Sequence, residues 1–173
     1  CNSDIMDNIV TFFKLKMMNV KKIKYLEWNL NDLKNALDLN EEDVKKYFTD
    51  GRRVSFLTER KIAKERDGIL SPSEGAGYDL ILPDGKWEVR SLTKEVYFCP
   101  SKMVGSGRSF EEEGFLKKLD EIEGYFICDV WQFPKVPYIS ISSHTIREYY
   151  FSGKLGKTSK LTRKKFFNLF GEL

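Results

Sequence analysis

Residues 77–90 read GYDLILPDGKWEVR. Tyr78 to Leu82 and Trp87 to Leu92 are short runs rich in aromatic and aliphatic residues, and Pro83-Asp84-Gly85-Lys86 between them has the composition of a tight turn. The segment predicts two neighbouring strands. Asp79 lies on the first; Glu88 and Arg90 lie on the second, two positions apart, and side chains alternate across a strand, so Glu88 and Arg90 project from one face. Acids are depleted from strands because they fit a half-buried pleated surface poorly. Their presence on two adjacent strands points to chemistry, with Asp79, Glu88 and Arg90 converging.

Upstream of this hairpin, SPSEGAG (71–77) reads as a loop, and RRVSFLTERKIAKER (52–66) predicts a helix ended by Asp67-Gly68. Its buried stripe would comprise Val54, Phe56 or Leu57, Ile62 and Ala63. Residues 5–50 predict helix: DIMDNIVTFFKLKMM is amphipathic, and NLNDLKNALDLNEEDVKKYF gives two short helices capped by Asn31 or Asp32 and by Asn40. Leu33, Ala36, Leu37, Val44 and Phe48 have the rhythm of a helix-turn-helix. Glu41-Glu42-Asp43 at the second helix start would be repelled by phosphate but suits a helix N-terminus, so a structural hairpin and a role at DNA both stay open.

Downstream, EVYFCP (95–100) predicts a further neighbouring strand, residues 110–122 a helix, and GYFICDVW and VPYISIS two largely buried strands. SSHTIREYYF and LTRKKFFNLF close the chain as helices capped by Ser143 and Thr162. The pattern is α/β, a central mixed sheet flanked by helices. One domain spans 1–173, with a helical segment over 1–50, a core over 51–142 and basic helices over 143–173.

Composition narrows the function classes. No apolar run reaches the ~18 to 20 residues of a membrane span, and CNSDIMDNIVTFF lacks the order of a secretory signal, so a soluble, cytoplasmic chain with no membrane partner is expected. Cys1, Cys99 and Cys128 have no metal-ligand spacing and read as reduced thiols, the last two buried. The net charge is +3, yet Asn8–Leu26 holds five lysines and Tyr149–Gly171 six basic residues, both without an acid, so the remaining chain is net acidic by eight. Basic flanks suit a polyanion, although lysine-rich termini also serve as solubilising surface.

Two carboxylates meeting across a hairpin suit a hard divalent cation, since Mg²⁺ takes oxygen ligands and only one or two protein carboxylates. With that spacing the chain resembles the PD-(D/E)XK nuclease superfamily, and within it a small type II restriction endonuclease group. Asp79 matches the first acid, Glu88 the second, Val89 the intervening residue, and Arg90 stands where lysine is usual; Tyr78 replaces the proline before the first acid. The resemblance covers roughly residues 52–142. It implies a restriction-endonuclease-like core and a Mg²⁺-dependent hydrolase (Mn²⁺ substituting) that cleaves double-stranded DNA to 5′-phosphate ends. Asp79, Glu88 and the Val89 carbonyl would hold the metal, with Arg90 catalytic; Glu59, Glu74 and Lys94 are further candidates.

Arg90 keeps its proton and so would orient water or stabilise phosphate charge. The alternatives to a metal site are a capping role for Asp79, a Glu88–Arg90 ion pair, and an exposed helix-face partner role for Glu59. In CPSKMVGSGRSF (99–110), Gly105 and Gly107 permit close backbone approach while Lys102, Ser106, Arg108 and Ser109 offer donors to DNA, as do Lys154, Lys157 and Lys160; Ser109 as a helix cap is the competing reading. His144 is the sole histidine and reads as structural. Cutting both strands of a palindrome calls for a homodimer. A catalytically silent DNA-binding protein, and a repair, junction or intron-homing nuclease of the same superfamily, are the alternatives.

Overall fold

A computed structural model describes residues 22–73 and 75–173. Its main sheet has six strands in the order β1-β7-β6-β4-β3-β2, where β1 is Lys24–Glu27, β2 Ile69–Leu70, β3 Leu80–Leu82, β4 Gly85–Leu92, β6 Gly124–Asp129 and β7 Lys135–Ser142. β2, β3 and β4 form an antiparallel meander, β6 runs parallel to β4, and β7 and β1 continue antiparallel. Two remaining strands, β5 (Glu95–Tyr97) and β8 (Lys160–Thr162), pair in a separate ribbon. The helices are α1 (Leu30–Leu37), α2 (Glu41–Phe48), α3 (Gly51–Glu65), α4 (Glu112–Glu121), α5 (Ser143–Phe151) and α6 (Arg163–Phe170). Among the described residues no helix is long and apolar enough to cross a membrane.

Strand alternation divides the core in two. Val89, Phe126 and Cys128 face α2 and α3, packing with Val44, Phe48, Val54 and Ile62; Leu92, Tyr125 and Ile127 face α4 to α6, packing with Phe115, Leu119, Ile146 and Phe166. Each buried aliphatic or aromatic side chain contributes about 1.5–3 kcal/mol of transfer free energy, so both helical layers are tied to the sheet. Phe48 stacks on Phe133 with Trp28 against both rings, which fixes the α1–α2 hairpin in the core layer that includes Val54 of α3.

Several expectations are corrected. Lys24–Glu27 is a strand, not helix: Leu26 inserts into the core between exposed Tyr25 and Glu27, an alternation that the flanking lysines obscure. The N-terminal amphipathic segment, with Lys14, Lys16 and Lys21, lies outside the described residues, as does Cys1. Asn29, not Asn31 or Asp32, caps α1, accepting from both of their backbone N–H groups at 3.1 and 3.2 Å, while Asn40 caps α2 as expected. Ser142 caps α5 in place of Ser143, and Thr162 caps α6. In α3 the buried stripe is Val54, Thr58, Ile62 and Ala63, whereas Phe56 faces solvent. β5 leaves the main sheet for β8, which had read as part of the basic helical tail; Leu161 is buried there between exposed neighbours.

The β3–β4 turn is two residues, Pro83 and Asp84, and Gly85 re-enters the strand at φ 133°, a conformation that favours glycine. At the start of β6, a Cβ added to Gly124 would press on the Ile141 carbonyl oxygen and stand 2.9 Å from both Ser142 Cα and Trp87 Cζ3. Gly124→Ala is expected to destabilise the protein by roughly 1–3 kcal/mol through this overpacking, read as a lower urea midpoint with unchanged slope.

Candidate functional site

The hairpin register determines the site. Leu80 pairs with Trp87, so Asp79, one step before β3, stands across from Glu88. The Val89 N–H donates to Asp79 Oδ2 at 2.7 Å, and the Asp79 N–H donates to the Trp87 carbonyl at 2.9 Å, which anchors the carboxylate to the partner strand. Burial pushes the Asp79 carboxyl up to about 6, with the Glu88 charge adding to the shift and the Val89 N–H opposing it. Glu59 approaches from α3. Its carboxyl is pushed up to about 7, first by burial and then by the Asp79 charge, with Glu88 adding further. Three acids therefore share one electrostatic neighbourhood.

Glu88 is not left for a metal alone. It is only 5% exposed, and its Oε1 takes a 2.8 Å ion pair from Arg90 while Oε2 is paired with Lys118. Lys118 belongs to α4, is also 5% exposed, and donates as well to the Gly77 carbonyl. Arg90 donates further to the Cys99 carbonyl at 3.2 Å and the Ser101 hydroxyl at 3.3 Å. Asp79, Glu88 and Arg90 do come together as the spacing implies. The expected unneutralised pair of carboxylates is corrected, however: Glu88 is clamped between two cations, and it is Asp79 and Glu59 that are raised, chiefly by burial and secondly by like charge.

Lys118 was absent from the sequence-derived candidates, although its signal was present. Phe115, Lys118, Leu119 and Ile122 fall at the i, i+3, i+4, i+7 spacing of a buried stripe, and a lysine inside such a stripe requires an acid partner. Lys94 is corrected out of the site, because β4 ends at Leu92 and Lys94 is an exposed bend residue whose carbonyl accepts from the Arg163 N–H at 2.8 Å. Glu74 lies outside the described residues.

The basic candidates are scattered. Arg108 folds back onto its own loop, donating to the Ser101 and Val104 carbonyls at 2.9 and 3.2 Å, and it shares with Ser106, Lys160, Tyr97 and Phe110 the lining of an open cavity of about 390 Å³. Lys160 pairs with Glu95 at 3.3 Å. Lys154 lies over the Tyr149 ring, and Lys102, Ser109 and Lys157 are exposed. Ser109 does not cap α4, which starts from Glu111 without a side-chain cap. His144 is exposed beside Glu148, away from these acids. Cys99 and Cys128 are free and buried, and burial raises both thiols, so neither is a ready nucleophile.

Asp79 and Glu88 supply hard oxygens, and a divalent ion beside them would offset the burial and like charge that raise Asp79 and Glu59, so this donor set fits Mg²⁺ once Glu88 exchanges one cationic partner. Among the described residues no three His, Cys, Asp or Glu side chains form a ready metal cage, and Mg²⁺ does not require one. No family model matches the chain, and no curated protein or solved structure matches it either.

The raised carboxyls have a consequence for stability. A folded-state pKa above the unfolded value contributes stability that is fully present below about pH 4 and is lost as pH rises through 6 to 7. Thermal unfolding is thus expected to show a loss on the order of 2 kcal/mol between pH 5 and pH 8 from this pair. Millimolar Ca²⁺ should recover most of it at pH 8 and little at pH 5; equal effects of Ca²⁺ at both pH values would mean that no ion sits beside Asp79 and Glu59.

Proposed function

We propose that the chain is a Mg²⁺-dependent endodeoxyribonuclease of restriction type, hydrolysing phosphodiester bonds of double-stranded DNA to leave 5′-phosphates and acting as a homodimer. The observation that carries this reading is the convergence of Asp79, Glu88 and Arg90 on the β3–β4 hairpin, with Lys118 of α4 paired to Glu88 and with Glu59 of α3 raised by burial and by the Asp79 charge. The surrounding order supports it: α3, the β2-β3-β4 meander, α4, then β6 parallel to β4, the sequence of elements that the PD-(D/E)XK resemblance implies around its acids. Asp79, Glu88 and the Val89 carbonyl would hold Mg²⁺, with Glu59 binding water beside it. When bound there, the ion supplies charge neutralisation at the phosphate and acidifies water.

The chain's own residues do the rest. Lys118 supplies the ammonium that position 90 lacks and, buried between Glu88 and the Gly77 carbonyl, holds Glu88 in place. Arg90, always protonated, stabilises the charge that builds on the scissile phosphate. Its contacts to Cys99 and Ser101 connect it to the 99–110 loop, where Lys102, Ser106, Arg108 and Ser109 would face DNA, with Lys154, Lys157 and Lys160 as basic flank.

A second reading, a DNA-binding protein without catalysis, is favoured by one observation: both oxygens of Glu88 already carry cationic partners. Incubating supercoiled plasmid with Mg²⁺ separates the two. Discrete fragments support the restriction reading, smearing or junction-only cleavage a repair or junction nuclease, and retention of DNA without cleavage the silent binder.

A further inference from the structure

The face of α3 turned away from the core is basic and aromatic. Over residues 51–66 six arginines and lysines oppose two glutamates. Phe56 is 55% exposed with the Arg60 guanidinium 3.2 Å above its ring centroid, and Tyr47, 44% exposed on α2, carries Arg53 at 5.6 Å. Arg52, Arg53, Phe56 and Arg60, at i, i+1, i+4 and i+8, fall within about 100° on one side of the helix, and Glu59 lies at its margin. Exposed aromatics under guanidinium groups contribute nothing to the core. A guanidinium stacked on a ring uses its π face and leaves its in-plane N–H edge directed outward, the geometry that engages phosphate with two parallel hydrogen bonds. Arg60 commits one nitrogen to the Phe56 carbonyl at 3.1 Å, and Arg53 pairs through its Nε with the exposed Asp50 at 3.7 Å, so both retain donors.

We propose that this face of α3 is a second DNA-backbone contact surface, in which Arg52, Arg53 and Arg60 engage successive phosphates and Phe56 packs against the sugar-phosphate edge, leading the strand to Glu59. The inference rests on the nuclease reading for its ligand but involves none of the proposed metal ligands. It places a contact on the α3 side of the sheet, opposite the layer that carries the C-terminal basic residues. DNA is favoured over an acidic protein because three arginines and an exposed ring lie along one helix line with Glu59 at its margin.

The test is binding of a fluorescent 30-base-pair duplex in Ca²⁺ across a salt series, comparing the wild type with Arg53→Ala/Arg60→Ala and with Phe56→Leu, alongside plasmid cleavage in Mg²⁺. Each neutralised phosphate contributes about 0.9 to the slope of log affinity against log salt, so the double variant should lose roughly tenfold in affinity and about two units of slope, equally for all sequences. These residues are exposed, so circular dichroism should be unchanged. Wild-type affinity and slope in the double variant would overturn the proposal, as would loss of binding to an acidic peptide with DNA binding intact. If the double variant binds weakly and the wild type cleaves nothing, the surface stands and the nuclease reading falls; full cleavage with an unaltered slope does the reverse.

Discussion

Asp79→Asn is expected to slow Mg²⁺-dependent plasmid cleavage by at least roughly 10²-fold, the scale of losing one preorganised electrostatic group at a reacting phosphate. The substitution is conservative where structure is concerned. Asn retains an oxygen to accept the 2.7 Å bond from the Val89 N–H, so the β3–β4 hairpin keeps its register. What disappears is charge. The Asp79 carboxyl is raised by burial and by Glu88, and in turn helps raise Glu59, so removing it relieves repulsion. Asp79→Asn should therefore melt higher than the wild type at pH 8 and nearly the same at pH 4, while binding duplex DNA in Ca²⁺ with little change. A variant that cuts at the wild-type rate places the chemistry elsewhere. One that is inactive because its melting temperature has fallen would show that Asp79 serves as a structural anchor.

The parts of the fold legible from sequence were those where one local pattern suffices. Asp-Gly after a short apolar run, followed by Trp87-Glu88-Val89-Arg90, specifies a hairpin, and its register alone brings Asp79 across from Glu88. Continuous apolar runs marked β6 and β7, because strands buried on both faces need no alternation. The missed elements depend on distant partners. β1, β2 and β8 are two to four residues long, and each exists because a neighbouring strand offers backbone groups to pair with. The same applies at the site. Glu88 and Arg90 could be paired from spacing, whereas the contact to Lys118 spans thirty residues and depends on α4 crossing over between parallel β4 and β6.

Lys118 also provides the sharpest separation of structure from catalysis. Lys118→Met keeps the bulk of the side chain in the stripe of Phe115 and Leu119 but leaves the Glu88 carboxylate, 5% exposed, with Arg90 alone, and leaves the Gly77 carbonyl without this donor. Arg90 still pairs with Glu88, so losing one of two charged hydrogen bonds on this buried carboxylate costs about 1.5–3 kcal/mol. In a chain of this size that corresponds to a fall of about 3–12 °C in melting temperature. Glu88→Gln should be destabilising for the reciprocal reason, with the Lys118 ammonium left buried. Combining Lys118→Met with Glu88→Gln removes the charges of this pair, and the introduced glutamine oxygen can still accept from Arg90, so the double variant should be clearly more stable than Glu88→Gln alone. Cleavage should not recover with it: the double variant lacks both the acid across the hairpin from Asp79 and the ammonium that holds it. Stability restored together with activity would make the Glu88–Lys118 contact a strut between α4 and β4; stability restored without activity identifies a pair retained for the phosphate.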